Sequence, residues 1–191
     1  MTRLKLRSQR QTAERCAQLA QEARAALEHT GTPDGAIVDS IWRAEALGTL
    51  LWALQLVELP AYDRPFDAQH VLKLDAATGH FREHDEIELE LEAARLWHWR
   101  ARTTVLQAMG RSSLPEQFST VEQLVGATAM RGFEEGLLPT PLRGDFPAFG
   151  KVYRQLSAEQ RSQAHSIAFE RHHALTWLCG TGAWDDLLLD T

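Results

Sequence analysis

Between Ala46 and Leu54 the chain reads Ala-Leu-Gly-Thr-Leu-Leu-Trp-Ala-Leu, and no other stretch restricts its fold as much. Wound as a helix, this segment is apolar on nearly every side, and a helix without a polar face is buried by several neighbours. It falls well short of the roughly 18 apolar residues that span a bilayer, and it contains Thr49. It therefore predicts a core helix, running from about Ala36 to Glu58 and stopped by Pro60.

The covering elements are also helical. Ser8 and Gln11 fit a capping box, and Ala13, Cys16, Ala17, Ala20, Ala23 and Leu27 recur at helical spacing up to the breaker Gly31-Thr32-Pro33-Asp34-Gly35. Pro60 to Gly79 reads as irregular, with Val71 to Leu74 a candidate edge strand. From Asp85 onward Ile87, Leu89 and Leu91 alternate with Glu88, Glu90 and Glu92, a strand period, but Leu and Glu are strong helix formers and the run leads into 93–109. Helix is predicted there. Ser119 with Glu122 opens a fourth helix, Pro139 to Gly150 reads as a loop, and Ser157 with Gln160 opens a last helix ended by Gly180. Its stripe is Ala164, Ile167, Ala168, Arg171, Leu175 and Leu178, and the apolar tail from Trp184 should pack back on the body. The expectation is a mainly α fold, a single compact domain over residues 1–191, with about five main helices, a buried central helix and at most one small β element.

A chain of this length can bury about two-thirds of its unfolded surface in one core. Its six tryptophans belong in that core or at an interface. A formal charge of -6 argues against non-specific nucleic-acid binding, which needs clustered Lys and Arg. Arg3, Lys5, Arg7, Arg10 and Arg15 make the start basic, and Glu83, Asp85, Glu86, Glu88, Glu90 and Glu92 form an acidic run. Each reads as a solvated helix face, and the acidic run alternatively as a docking surface for a basic protein partner. Cys16 and Cys179 are the only cysteines, and no apolar signal segment surrounds Leu4 and Leu6. A cytoplasmic protein with two buried free thiols is expected.

Motifs that carry chemistry are sparse. His80-Phe81-Arg82-Glu83-His84 matches H-x-x-E-H, in which two helical histidines hold a zinc ion while the glutamate activates water. The turn-prone residues 75–79 before it favour a solvated polar loop. His165, His172 and His173 are spaced so that no pair shares an ion on one helix. Cys179 sits at a helix C-terminus, where the dipole raises a thiol pKa, so it is a poor nucleophile. G-x-S-x-G, G-x-x-x-x-G-K, G-x-G-x-x-G and C-x-x-C are all absent, and no cofactor is implied.

More informative are charges on apolar stripes. Glu45 shares a helix face with Ile41, Gly48 and Trp52, and Arg171 with Ile167, Leu175 and Leu178. An unpaired buried ion costs several kcal/mol, so these charges must be paired. One ion network of Arg43, Glu45, Glu170, Arg171 and Asp185 is expected to join the second helix, the last helix and the tail. The catalytic alternative is a carboxylate steered by arginines.

The same residues carry a family likeness. Trp42-Arg43-Ala44-Glu45-Ala46-Leu47, followed by Leu51-Trp52-Ala53-Leu54, resembles the central signature of the bacterial family known as domain of unknown function 4272. Glu170 to Leu178, which includes Trp177, followed by Trp184-Asp185 and Asp190-Thr191, is similar to its C-terminal signature. Residues 82–102 and 7–20 resemble its other segments more loosely, and Gln55 stands where that family usually has glycine. The resemblance implies a shared fold and no activity, since the family has no assigned reaction or ligand. A small acidic helical domain without catalytic motifs suits a non-enzymatic role, so the functional expectation is an accessory, adaptor or toxin-neutralising (immunity-like) protein that binds a protein partner through its acidic face or exposed aromatics. The alternative is a hydrolase of unrecognised type, metal-dependent through His80 and His84.

Overall fold

Three side-chain caps set the starts of the long helices. Ser8 with Gln11 opens α1 (Gln9–Leu27), and Ser157 with Gln160 opens α6 (Ala158–Leu178), each as a reciprocal capping box. The third cap falls one residue later than expected. Thr120 and Gln123, not Ser119 and Glu122, form the box that opens α5 (Val121–Glu134), and Glu122 lies in the first turn. The computed structural model describes residues 5–28, 35–111 and 114–189, with side chains of the middle stretch described from residue 42. Arg3, the breaker at 31–34, the Ile41 side chain, Asp190 and Thr191 lie outside the described residues.

The remaining helices are α2 (Gly35–Ala53), the one-turn α3 (Ala68–Val71) and α4 (His84–Ala108). Helix wins over strand at 85–92, with Asp85 and Glu86 in the first turn of α4 at the positive end of its dipole. The candidate strand at 71–74 is instead the end of α3 and a turn, because Asp67 caps that helix through the amides of Gln69 and His70. The β element lies in the stretch read as a loop. Pro147–Ala148 pairs antiparallel with Lys151–Val152, joined by Phe149 and Gly150 with φ of 53° and 66°. Two positive φ values suit the right-handed twist of a tight hairpin.

The expected central helix is central. Every residue from 44 to 54 is buried, with α1 on one side and α6 on the other. Leu47, Leu50, Leu51 and Leu54 are nearly inaccessible, and each contributes roughly 1.5–3 kcal/mol by leaving water. Thr49 returns its hydroxyl to the Glu45 carbonyl at 2.9 Å, which satisfies the one interior polar group of the run. A Cβ on Gly48 would fall 2.4 Å from the Phe66 ring, so glycine there lets the ring lie on the helix.

α2 stops at Ala53, short of Glu58 and Pro60. Gln55 takes φ 59°, its amide bonds back to Trp52 and that of Leu56 to Leu51, the pattern of a Schellman ending. The left-handed position is the one at which the resembled family has glycine. Residues 79–83 then run alongside, and the amides of His80 and Arg82 donate to the carbonyls of Leu54 and Ala53.

α6 lies between α2 and α4, and α5 packs against α4. Glu170, Arg171, His172 and His173 are all buried in succession, so α6 is covered on every side over this stretch rather than along one stripe. Residues 7–15 and 177–184 meet at its C-terminus. Arg7 donates to the Trp177 and Gly182 carbonyls, and its guanidinium lies 4.4 Å from the Trp177 ring. Arg15 covers Trp184 at 4.9 Å, and Trp184 is buried, whereas Leu188 of the same apolar tail is 88% exposed, so the tail packs back through its tryptophan and not along its length. Part of the basic start is therefore packing, not a solvated face. No helix among the described residues is long and apolar enough to cross a membrane.

Candidate functional site

The deepest polar contact joins α2 to α6. Arg171 Nε lies 2.7 Å from Glu45 Oε1, with the two side chains 0% and 2% exposed. The other guanidinium nitrogens donate to the carbonyls of Pro60 (2.6 Å) and Arg64 (3.1 Å), and Glu45 Oε2 accepts the Phe66 amide at 2.9 Å. Burial pushes the Glu45 carboxyl above its ordinary value, against the pull of Arg171 and that amide. The pair thus fastens residues 60–66 across both helices.

Arg171 also sets a tyrosine. Its guanidinium lies 4.6 Å from the centre of the Tyr62 ring, and Trp97 of α4 stacks with that ring at 5.1 Å and 9°. Held by these contacts, Tyr62 donates its hydroxyl to Glu90 Oε1 at 2.7 Å. Burial, then the Glu90 carboxylate, keep the phenol well above its usual pKa, so it stays protonated and can donate to Glu90. Glu90 opens into a cleft of about 290 Å³ between residues 59–63, α4 and residues 137–147.

The expected single network divides. Arg43 pairs at the rim with Glu170 (3.5 Å) and Glu22 (3.6 Å), beside a polar groove lined by Trp42, His165, Ser166 and Phe169. The buried pair of Glu45 and Arg171 stands apart from it. Asp185 is exposed and joins no ion pair among the described residues, because the chain turns there so that Trp184, and not its acidic neighbour, faces the body. Trp52 is buried under the Arg82 guanidinium, 5.1 Å from its ring. Trp177 contacts Trp184 edge-on at 5.6 Å.

The H-x-x-E-H match does not lie on a helix. The backbone is extended through Glu83, and His84 is the first residue of α4. The four-residue spacing therefore does not stack His80 over His84 on one helical face. His80 is exposed, and His84 Nδ1 faces Glu88 at 3.4 Å. Cys16 and Cys179 are free and buried, and burial pushes both thiols up to about 12, which leaves no thiolate at neutral pH. The acidic run splits by helical position. Asp85 and Glu86 face solvent, Glu90 turns into the cleft, and Glu92 pairs with Arg95.

Three further features escaped the sequence reading. Arg100 and Asp145 form a buried two-bond pair at 2.7 and 3.0 Å, and Asp145 also accepts the amides of Phe146 and Arg154, which fixes the hairpin to α4. Its only trace is Arg100 three residues after Trp97 on the buried face. Second, His98 Nδ1 lies 3.0 Å from His172 Nδ1 on the seam of α4 and α6, with the His165 ring 5.8 Å from that of His98. Burial holds His98 down at about 4 and His172 at about 3, helped by Arg102 and Arg95 respectively. His173, at about 4 for the same reason, packs on Trp184 at 4.5 Å.

The third feature is a groove of about 430 Å³ between α4 and α5. Leu96, Trp99, Pro115, Phe118 and Leu124 line it together with Arg95 and Arg131, and no carboxylate among the described residues does. Large apolar side chains stay exposed on the same two helices, among them Leu89, Val105, Leu106, Met130 and Phe133. Comparison of the chain with protein-family models, with curated proteins and with solved structures gives no match.

Proposed function

We propose that the chain is a non-enzymatic protein-binding domain that receives an acidic, amphipathic segment of a partner protein in the groove between α4 and α5. The observation that supports this reading is the groove's charge. In a chain of net charge -6, this groove on α4 is lined by two arginines and, among the described residues, by no carboxylate; Arg131 joins no ion pair among them, and Arg95 shares its charge with Glu92 at 3.2 Å. An amphipathic helix laid into such a groove covers its apolar face and leaves its acidic edge to Arg95 and Arg131. Neutralising a toxin by covering such a segment is one form of this role. Membership of the family that residues 42–47 and 170–178 resemble is likewise a proposal, and it assigns no activity.

A photo-reactive benzoylphenylalanine replacing Ala127, which is exposed within the groove, tests the reading in the native host, with Arg10 as the control position on α1. The expected result is one cross-linked protein whose attached peptide is acidic and amphipathic, lost when Arg95→Glu and Arg131→Glu are combined. No adduct above the control, an adduct that survives the charge reversal, or a basic attached peptide would overturn it.

A further inference from the structure

Resting on the groove reading above, we infer that the acidic segment taken by the groove is the stretch after Trp184 of a second copy of this chain, so that the protein associates with itself. That stretch reads Asp185-Asp186-Leu187-Leu188-Leu189-Asp190. Leu188 is 88% exposed, the most of any large apolar side chain among the described residues. Its neighbours are committed inward. Trp184 is buried and packs on His173 and Trp177, and Leu187 lies against the core. The chain is therefore anchored at Trp184 and leaves Leu188 in solvent close to Asp185 and Asp186, both exposed. The aspartates that form ion pairs among the described residues are Asp63 and Asp145, and neither of these two.

The groove offers the converse. Leu96, Trp99, Phe118 and Leu124 line it and are all partly exposed. Arg131 is exposed and joins no ion pair among the described residues, and Arg95 has Glu92, a pair in which both side chains are about half exposed. A pair so open to water is weak, which leaves Arg95 able to take a further carboxylate. No residue of 184–189 lines the groove of its own molecule.

A leucine seated among those apolar side chains, with aspartates reaching Arg95 and Arg131, matches apolar surface and charge in one contact. A basic segment would be repelled there, and an uncharged one would leave both arginines unmatched. Every copy carries the groove and the segment, so two copies can exchange segments about a two-fold axis and make the contact twice. A segment this short covers less than the roughly 1,200 Å² of standard interfaces, so a dissociation constant on the order of 10–100 μM is expected.

Sedimentation velocity of the full chain across that concentration range tests the inference. The wild-type sedimentation coefficient should rise with concentration. Arg95→Glu with Arg131→Glu, and separately Asp185→Lys with Asp186→Lys, should each stay monomeric. Mixed together, the two variants should associate again, because every contact between them joins opposite charges, and that rescue also shows that both are folded. Benzoylphenylalanine at Ala127, which is exposed in the groove, should cross-link in the purified chain to residues 185–191 of another copy, identified by mixing labelled and unlabelled chains. A monomer throughout the range, association that survives both charge reversals, failure of the mixture to associate, or an adduct confined to one chain overturns the inference. If the purified chain gives no such adduct while the same probe captures a different acidic protein in the native host, self-association falls and the groove reading stands; if neither gives an adduct, both fall.

Discussion

Arg171→Ala is the most exacting test of how this fold is held. The change leaves Glu45, 2% exposed, with a single donor, the Phe66 amide. It strips the Pro60 and Arg64 carbonyls of their guanidinium donors and removes the cation from one face of Tyr62. Removing one partner of a buried pair costs about 3–5 kcal/mol, against a whole-domain stability of about 5–15 kcal/mol. With a urea dependence of about 2 kcal/mol per molar, the unfolding midpoint should fall by about 2 M, read by far-ultraviolet circular dichroism. A cycle of Glu45→Gln, Arg171→Met and the double variant then separates the ion pair from the rest. The double variant should lie between Arg171→Met and wild type, because losing both charges relieves the stranded carboxylate but not the two stranded carbonyls. A midpoint for Arg171→Ala within about 0.3 M of wild type, or about 0.6 kcal/mol by the same urea dependence, would refute the reasoning.

Other perturbations follow from the same contacts. His98 and His172 are held below their ordinary value of 6.5, so the unfolded chain takes up protons first. Stability should be intact above about pH 6.5 and decline as pH falls toward 4, by roughly 2 kcal/mol per histidine at pH 5. Urea midpoints between pH 7.5 and 5 check this, and His172→Gln should flatten the slope. Gly48→Ala drives a Cβ into the Phe66 ring at 2.4 Å and should cost about 1–3 kcal/mol in thermal or urea unfolding; an unchanged midpoint would show that the ring has room. At Gln55, φ 59° makes a β-branched residue costly, so Gln55→Val should lose about 1–2 kcal/mol while Gln55→Gly is neutral or slightly stabilising, as comparison of their melting temperatures will show.

What could be read from the sequence follows from what leaves a periodic trace. Buried apolar faces repeat every three or four residues, so α1, α2, α4 and α6 were legible, and so was the burial of Glu45 and Arg171, because a charge on such a stripe has to be paired. Ends were less legible. α2 stops at a backbone conformation taken by Gln55, and glutamine gives no signal for a left-handed turn, whereas Pro60 gives a strong but misplaced one. Ser119 and Thr120 are both good caps, and Gln123 can close a box with only one of them. The hairpin at 147–152 has two residues in each strand, too few for an alternating pattern. It is held by Asp145 and Arg100, 45 residues apart in the chain, a pairing that no local window contains. The histidine seam was missed for a related reason: His98 and His172 meet across two helices, and each looks like an isolated polar residue on its own.

Architecture and candidate chemistry are separated by depth in this molecule, and Arg171 is where they touch. One side of its guanidinium grips Glu45, and its face supports Tyr62, whose hydroxyl holds Glu90 at the cleft. The conspicuous pair thus lies beneath Tyr62, itself buried, and Glu90, which is half-buried. Tyr62, Asp63 and Glu90 come from an irregular segment and from the acidic run, where nothing in the spacing sets them apart. This ordering has a consequence for mutagenesis. Glu90→Gln should leave the urea midpoint nearly unchanged, since Tyr62 keeps its acceptor, whereas Arg171→Ala should lower it, since the tyrosine loses its support as the helices lose their clamp. A loss of binding in Arg171→Ala is therefore no evidence that Arg171 touches a ligand, and only the exposed layer can report on function without also reporting on the fold.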